Sequence, residues 1–192
     1  MSSQSPTHAR PSRHLLRRAS TRLRDAVEPG SPRAAPGEPR FRLLFVCRGN
    51  ICRSSLAHGF LRAELARSGL LGPVVVESAG TSGWNAGKRP HWRARACARR
   101  RGFTIGDLRA RQVTADDFDR LDLLVVMDSE NREALGLLAR TPDDMRRVID
   151  LAAHDIADPV HGDDDDFDTA YREIESGCRR LLDQILETGA AS

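Results

Sequence analysis

Several things are scarce in this sequence, and each shortage rules something out. Of 30 basic residues only Lys88 is lysine, so the positive charge is almost wholly arginine. Aromatic residues make up 5% of the chain while 40% is hydrophobic, which predicts a core packed from Leu, Val, Ile and Ala. No apolar run approaches the ~20 residues that cross a bilayer, so no integral membrane segment is expected. No C-x-x-C pair occurs among Cys47, Cys52, Cys97 and Cys178, and no His sits at ligand spacing, so neither a metal nor a cofactor is expected. A secretory apolar stretch is also missing. The expected setting is the reducing cytoplasm, with the thiols mostly free.

The 192 residues leave room for one domain of ordinary size and one extension. Residues 1–40 hold eight Arg against Asp25, Glu28 and Glu38, a balance of +5. The rest of the chain has 22 basic and 24 acidic residues, a balance of −2, so the pI near 8.9 reflects the tail. A nucleic-acid partner loses its main support on that count. Rich in Ser, Pro, Arg and Ala and without a sustained apolar period, residues 1–40 are expected to be a disordered tail. Leu16, Ala19, Leu23 and Val27 could share a helical face there, but it is thin, and a solvated basic segment is the favoured reading. A folded domain is expected over residues 41–188.

That domain reads as alternating strands and helices. Phe41 to Val46 is a short apolar run suited to a buried strand, and Ala57, Phe60, Leu61 and Leu65 follow at helical spacing. Pro73 to Ser78 predicts a second strand, residues 92–100 a helix, and Asp122 to Met127 the clearest buried strand, with a helix near 129–139. Thr114-Ala115-Asp116-Asp117 has the form of a capping box opening a short helix. Phe167, Tyr171, Ile174, Cys178, Leu181 and Ile185 mark a final helix. The alternation predicts an α/β fold, a small parallel sheet flanked by helices on both faces. Ligands bind such sheets at the carboxyl ends of the strands, where Cys47 falls.

Directly between strand and helix lies Cys47-Arg48-Gly49-Asn50-Ile51-Cys52-Arg53-Ser54. A loop entering a helix N-terminus can turn successive N–H groups toward one point, which makes an anion cradle. Gly49 frees the backbone, and Asn50 tolerates left-handed geometry. Arg53 can offer two parallel donors to two phosphate oxygens. Helix dipole, amides and guanidinium together favour a Cys47 thiolate, able to displace an ester oxygen from phosphorus. A lone strand-end cysteine is usually a small buried hydrophobe. Its company here favours a nucleophile.

Val46 to Ser54 resembles the signature of the low-molecular-weight protein-tyrosine phosphatases, and the likeness continues through Glu77 to Ser82, Ala110 to Gln112, Met127 to Asn131 and Ala157 to Pro159. It spans about residues 41–187. The resemblance implies a four-stranded parallel sheet and hydrolysis of phosphate monoesters, protein phosphotyrosine above all, through a cysteinyl-phosphate without metal. Cys47, Arg53 and Asp158 would be catalytic, with Asp158 protonating the leaving phenol and then helping water attack. Arg48, Gly49, Asn50, Ile51, Cys52, Arg53 and Ser54 would bind phosphate, and Asn50, Ser54 and Ser78 would brace the loop. Trp84, Val160 and His161 would line the substrate cleft. A reversible Cys47–Cys52 disulfide is also implied, with simple packing of Cys52 as the alternative.

Several positions depart from that pattern. Ser55 replaces a usual Pro, His58 a common Glu, His91 a usual Asp and Leu108 a His that joins the bracing in many members. Val160 and His161 stand where aromatics normally wall the cleft, which removes stacking area for a phosphotyrosine ring. Arg48 adds positive charge that would suit acidic flanking residues in a substrate. Phosphoarginine phosphatases of this fold typically carry Thr at the position of Ile51, and arsenate reductases need redox cysteines absent between Arg101 and Asp158. A weakly active phosphoprotein-binding module is the reading outside the enzyme class. Oligomeric state leaves no mark in the residues.

Overall fold

A computed structural model describes Pro39 and residues 41–187. Apart from Pro39, the expected tail lies outside the described residues, as does residue 188 at the end of the expected domain. The first strand, β1, is Phe41–Cys47, followed by helix α1 at Arg53–Arg67 and strand β2 at Val74–Gly80. Helix α2 is Trp92–Arg100, α3 is Asp117–Arg120, β3 is Leu123–Val126 and α4 is Ser129–Leu138. Helix α5, Pro142–Arg146, leads to β4 at Val148–Asp150, a 3-10 turn at Pro159–His161 and the long helix α6 at Asp164–Glu187.

All strand pairings are parallel, in the order β2-β1-β3-β4. Both faces of the sheet are covered, which is why β1 and β3 are apolar without alternation. Leu43, Phe45 and Cys47 face α1, α2 and α6; Leu44 and Val46 face the layer holding Phe118 of α3 and Leu135 of α4. The register sets Cys47 beside Gly80 and Val46 beside Val126, so β1, β2 and β3 end level. The chain passes from β2 to β3 across β1. The level ends thus form the crevice where a parallel sheet reverses its winding.

Most expected elements are present, and α2 covers the expected residues 92–100. The fourth strand is the one the family resemblance implied and no apolar run announced: β4 has three residues, of which only Val148 is buried. Thr114 to Asp117 forms half of the expected box. Thr114 N–H donates to Asp117 Oδ2 at 2.9 Å, while the helix is capped at Asp116 with no side-chain bond. A complete box opens α5 instead, between Thr141 and Asp144. Helix α6 begins three residues before its apolar stripe because Asp163 Oδ1 accepts the N–H groups of Asp165 and Asp166, at 2.9 and 3.2 Å.

Candidate active site

β1 delivers Cys47, 2% exposed, to the bottom of the crevice, with its Sγ 3.1 Å from Ser54 Oγ. The loop that follows is oriented by its carbonyls. Cys47 O accepts from Thr81 N and Arg48 O from Ser82 N, both at 2.9 Å; Ile51 O accepts from His91 N at 2.8 Å. Gly49 O accepts from Asn85 Nδ2 at 3.4 Å and Asn50 O from Ser55 Oγ at 2.8 Å. With the oxygens turned into the protein, the N–H groups of Arg48 through Cys52 find no acceptor among the described residues. Cys52 caps α1 without a side-chain bond, so the first-turn amides also await an outside oxygen. This is an anion site by construction.

Three residues make the turn possible. Asn50 is left-handed, at φ 54°, and its amide spans the turn: Nδ2 donates to Ser54 Oγ at 2.9 Å, and Oδ1 accepts from Arg111 N at 3.0 Å. A Cβ on Gly80 would lie 2.8 Å from Arg48 O, so only glycine lets β2 end against the loop. Ser55, a departure from the family pattern, contributes the bond to Asn50 O. Ser78 sits elsewhere than its expected bracing place. Its hydroxyl lies 3.2 Å from His58 Nδ1 on α1 and bonds neither Asn50 nor Ser54.

Arg53 is 2% exposed and held by two acids. Nη1 donates to Asp128 Oδ2 at 2.5 Å and Ile156 O at 2.8 Å, and Nη2 to Asp158 Oδ2 at 2.7 Å. Its Nε is buried with no partner among the described residues. Burial works against the charge, but Cys47, Asp158 and Asp128 outweigh it and hold the Arg53 pKa above its ordinary value. Asp158 comes from the segment after β4 and is 30% exposed; Val160 N–H donates to its Oδ1 at 3.3 Å. Asp128 lies within the matching stretch Met127 to Asn131, where its residue type alone points to no role. It follows β3, caps α4 through Asn131 N at 2.7 Å, and positions Arg53 with its other oxygen. Its signal was its place, an acid just past a buried strand end.

At the rim, Trp84 is 75% exposed, with the exposed Arg48 guanidinium 5.6 Å from its ring centroid. Val160 is half-buried against the core on the α1 side, and His161 is exposed. Cys47 and Cys52 are free thiols; burial first, then Cys47 and Asp158, pushes the Cys52 thiol far up. Leu108, in place of the bracing His, packs against the core.

The sequence profile described as low molecular weight phosphotyrosine protein phosphatase matches residues 42–191. The chain belongs to this family. A Bacillus subtilis relative, low molecular weight protein-tyrosine-phosphatase YfkJ, is 35% identical over 149 residues, 74% of this chain and 94% of its own length. The crystal structure of YfkJ superposes with a TM-score of 0.74 at 32% identity, covering 81% of this chain and 99% of that one. A Drosophila protein described as an arginine phosphatase shares 29% identity at a TM-score of 0.68, over 73% of this chain and 95% of its own. Family membership and fold thus meet the expectation set by the Val46 to Ser54 motif.

Proposed function

We propose that the protein is a protein-tyrosine phosphatase working on phosphotyrosine in protein substrates, in cytoplasmic signalling where its thiols stay reduced. The observation that carries the chemistry is the loop itself: five carbonyls turned away, the intervening amides unclaimed, and a buried thiol hydrogen-bonded at their centre. A phosphate monoester dianion supplies oxygens to those amides and to Arg53, whose Nε has no acceptor among the described residues. Cys47 attacks phosphorus, the bond to the phenolic oxygen breaks, and Asp158 gives that oxygen a proton. Water then attacks the phosphocysteine, Asp158 takes a proton from it, and the sulfur leaves as thiolate beside Ser54 Oγ. Phosphate is the product.

The rim supports a second specificity. Val160 and His161 put an aliphatic group and an exposed imidazole where ring stacking would favour phosphotyrosine, a gap compatible with phosphoarginine or a small phosphoester. Ile51 weighs against phosphoarginine. The test uses purified protein with p-nitrophenyl phosphate at mildly acidic pH in EDTA, then a panel of phosphotyrosine, phosphoarginine and phosphoserine peptides. Turnover is expected for the parent and is abolished in Cys47→Ser, with phosphotyrosine preferred. An inactive parent sinks the enzyme reading, an active Cys47→Ser sinks the nucleophile, and a phosphoarginine preference replaces the substrate.

A further inference from the structure

On the face of the sheet away from α1, four charged side chains close on one another. Asp117 is 1% exposed. Arg111 grips its carboxylate with both ends of the guanidinium, Nη1 to Oδ2 at 2.9 Å and Nη2 to Oδ1 at 3.1 Å. Arg120 Nη2 adds a bond to Oδ1 at 2.5 Å, and Thr114 N–H one to Oδ2 at 2.9 Å. Glu77 on β2 ties the two arginines together, accepting from Arg111 Nη2 at 2.9 Å and from Arg120 at 2.7 and 2.9 Å. Burial works to raise the Asp117 pKa, but the Arg111 fork, Thr114 and Arg120 overcome it and hold the carboxyl below its ordinary value. Two acids and two guanidiniums balance, with Asp117 buried at the centre and the arginines reaching the surface, so losing an arginine leaves the buried carboxylate short of its counter-charge.

The cluster reaches the nucleophile loop through the main chain of Arg111. Its N–H donates to Asn50 Oδ1 at 3.0 Å, and its C=O accepts from Gly80 N–H at 2.8 Å. Asn50 is the left-handed residue of the loop, and such a conformation persists only where its surroundings over-determine it. From Asn50 the path continues through Nδ2 to Ser54 Oγ and on to Cys47 Sγ. A surface ion pair would contribute little. This one is buried at its centre and ends on the residue that shapes the cradle.

We propose that Asp117 is a positioning residue for the Cys47 loop: by clamping Arg111 it fixes the N–H that holds Asn50 in its left-handed turn, and so aims the amides and Ser54. The inference rests on the phosphatase reading but not on its substrate. Small displacements of a catalytic constellation are expensive, up to about a hundredfold for ~1 Å.

The experiment compares the parent, Asp117→Asn and Leu135→Ala, the last opening a cavity in the same layer outside the hydrogen-bond path. Measurements are kcat and KM for p-nitrophenyl phosphate, alkylation of Cys47 by iodoacetate near pH ~6, and thermal stability. Asp117→Asn is expected to lower kcat by about tenfold or more with a smaller change in KM, and to slow alkylation by a similar factor. Leu135→Ala is expected to lose stability while keeping the parent's kcat and alkylation rate per folded molecule. Parent-like kcat and alkylation in Asp117→Asn overturn the proposal, as does an equal loss in Leu135→Ala. Should Asp117→Asn fail to fold, Arg111→Lys decides, since it keeps charge and main chain but loses the fork: a loss of about fivefold or more supports the proposal, and parent-like values overturn it. If the parent itself turns over no substrate, the phosphatase reading fails, while the alkylation rates still judge the clamp.

Discussion

Arg53 shares its two Nη groups between Asp128 and Asp158, and each acid caps a turn with its other oxygen. Asp128 is 14% exposed and also committed to capping α4, whereas Asp158 is 30% exposed on a short turn. The more exposed partner is thus the one assigned to proton transfer. On that assignment, substrate phosphate would take over Arg53 and leave Asp158 beside the ester oxygen. In an aryl phosphate series, Asp158→Asn is expected to cost about 10²- to 10⁴-fold for poor leaving groups and much less for p-nitrophenol, which departs without a proton. A loss independent of the leaving group would mean the acid is misassigned. The roles of Cys47 and Arg53 could be proposed from spacing because the chemistry demands them in one contiguous loop. Asp128 could not, because its capping position gives it a sufficient local reason to be there. Ser78 misled for a similar cause: the family likeness put it near the loop, but His58, itself a departure, takes its hydroxyl.

At the scale of elements, α1 meets β2 across His58, and the contact has a pH signature. Burial, followed by the nearby Arg62 charge, pushes the His58 pKa down to about 4. Its unfolded value is about 6.5, so the unfolded chain binds the proton first and folding is penalised as pH falls. The packing stability is complete above about pH 6.5 and is lost between there and about 4, on the order of 3 kcal/mol. Urea unfolding of the parent and His58→Gln at both ends of that window is expected to show a smaller pH-dependent loss in the variant. Identical losses would clear His58. Elements with an extended buried surface were legible: β1 and β3, buried on both faces, read as apolar runs, and α6, buried on one, as a stripe at three- and four-residue steps. β4 was not, since a three-residue edge strand with one buried side chain leaves no periodicity. Helix α5 escaped for the same reason, with five residues and only Asp144 buried, although Thr141 and Pro142 signal a helix start.

For the molecule as a whole, the charge lies in two parts. The family match begins at residue 42, and the site residues named above all lie within it, while residues 1–40 hold the excess positive charge. We expect a chain beginning at Pro39 to keep the parent's kcat/KM for p-nitrophenyl phosphate and its thermal midpoint. A loss of either would assign the tail a part in the fold or the site. The grip of Asp158 on Arg53 also bears on the turnover cycle. If Asp158 is the acid, its pairing with Arg53 at rest would act as a built-in competitor. An oxyanion would have to part the pair to reach Arg53, which would discount affinity for free phosphate along with affinity for substrate. The same pairing would re-form as inorganic phosphate left, and so would favour release of the product.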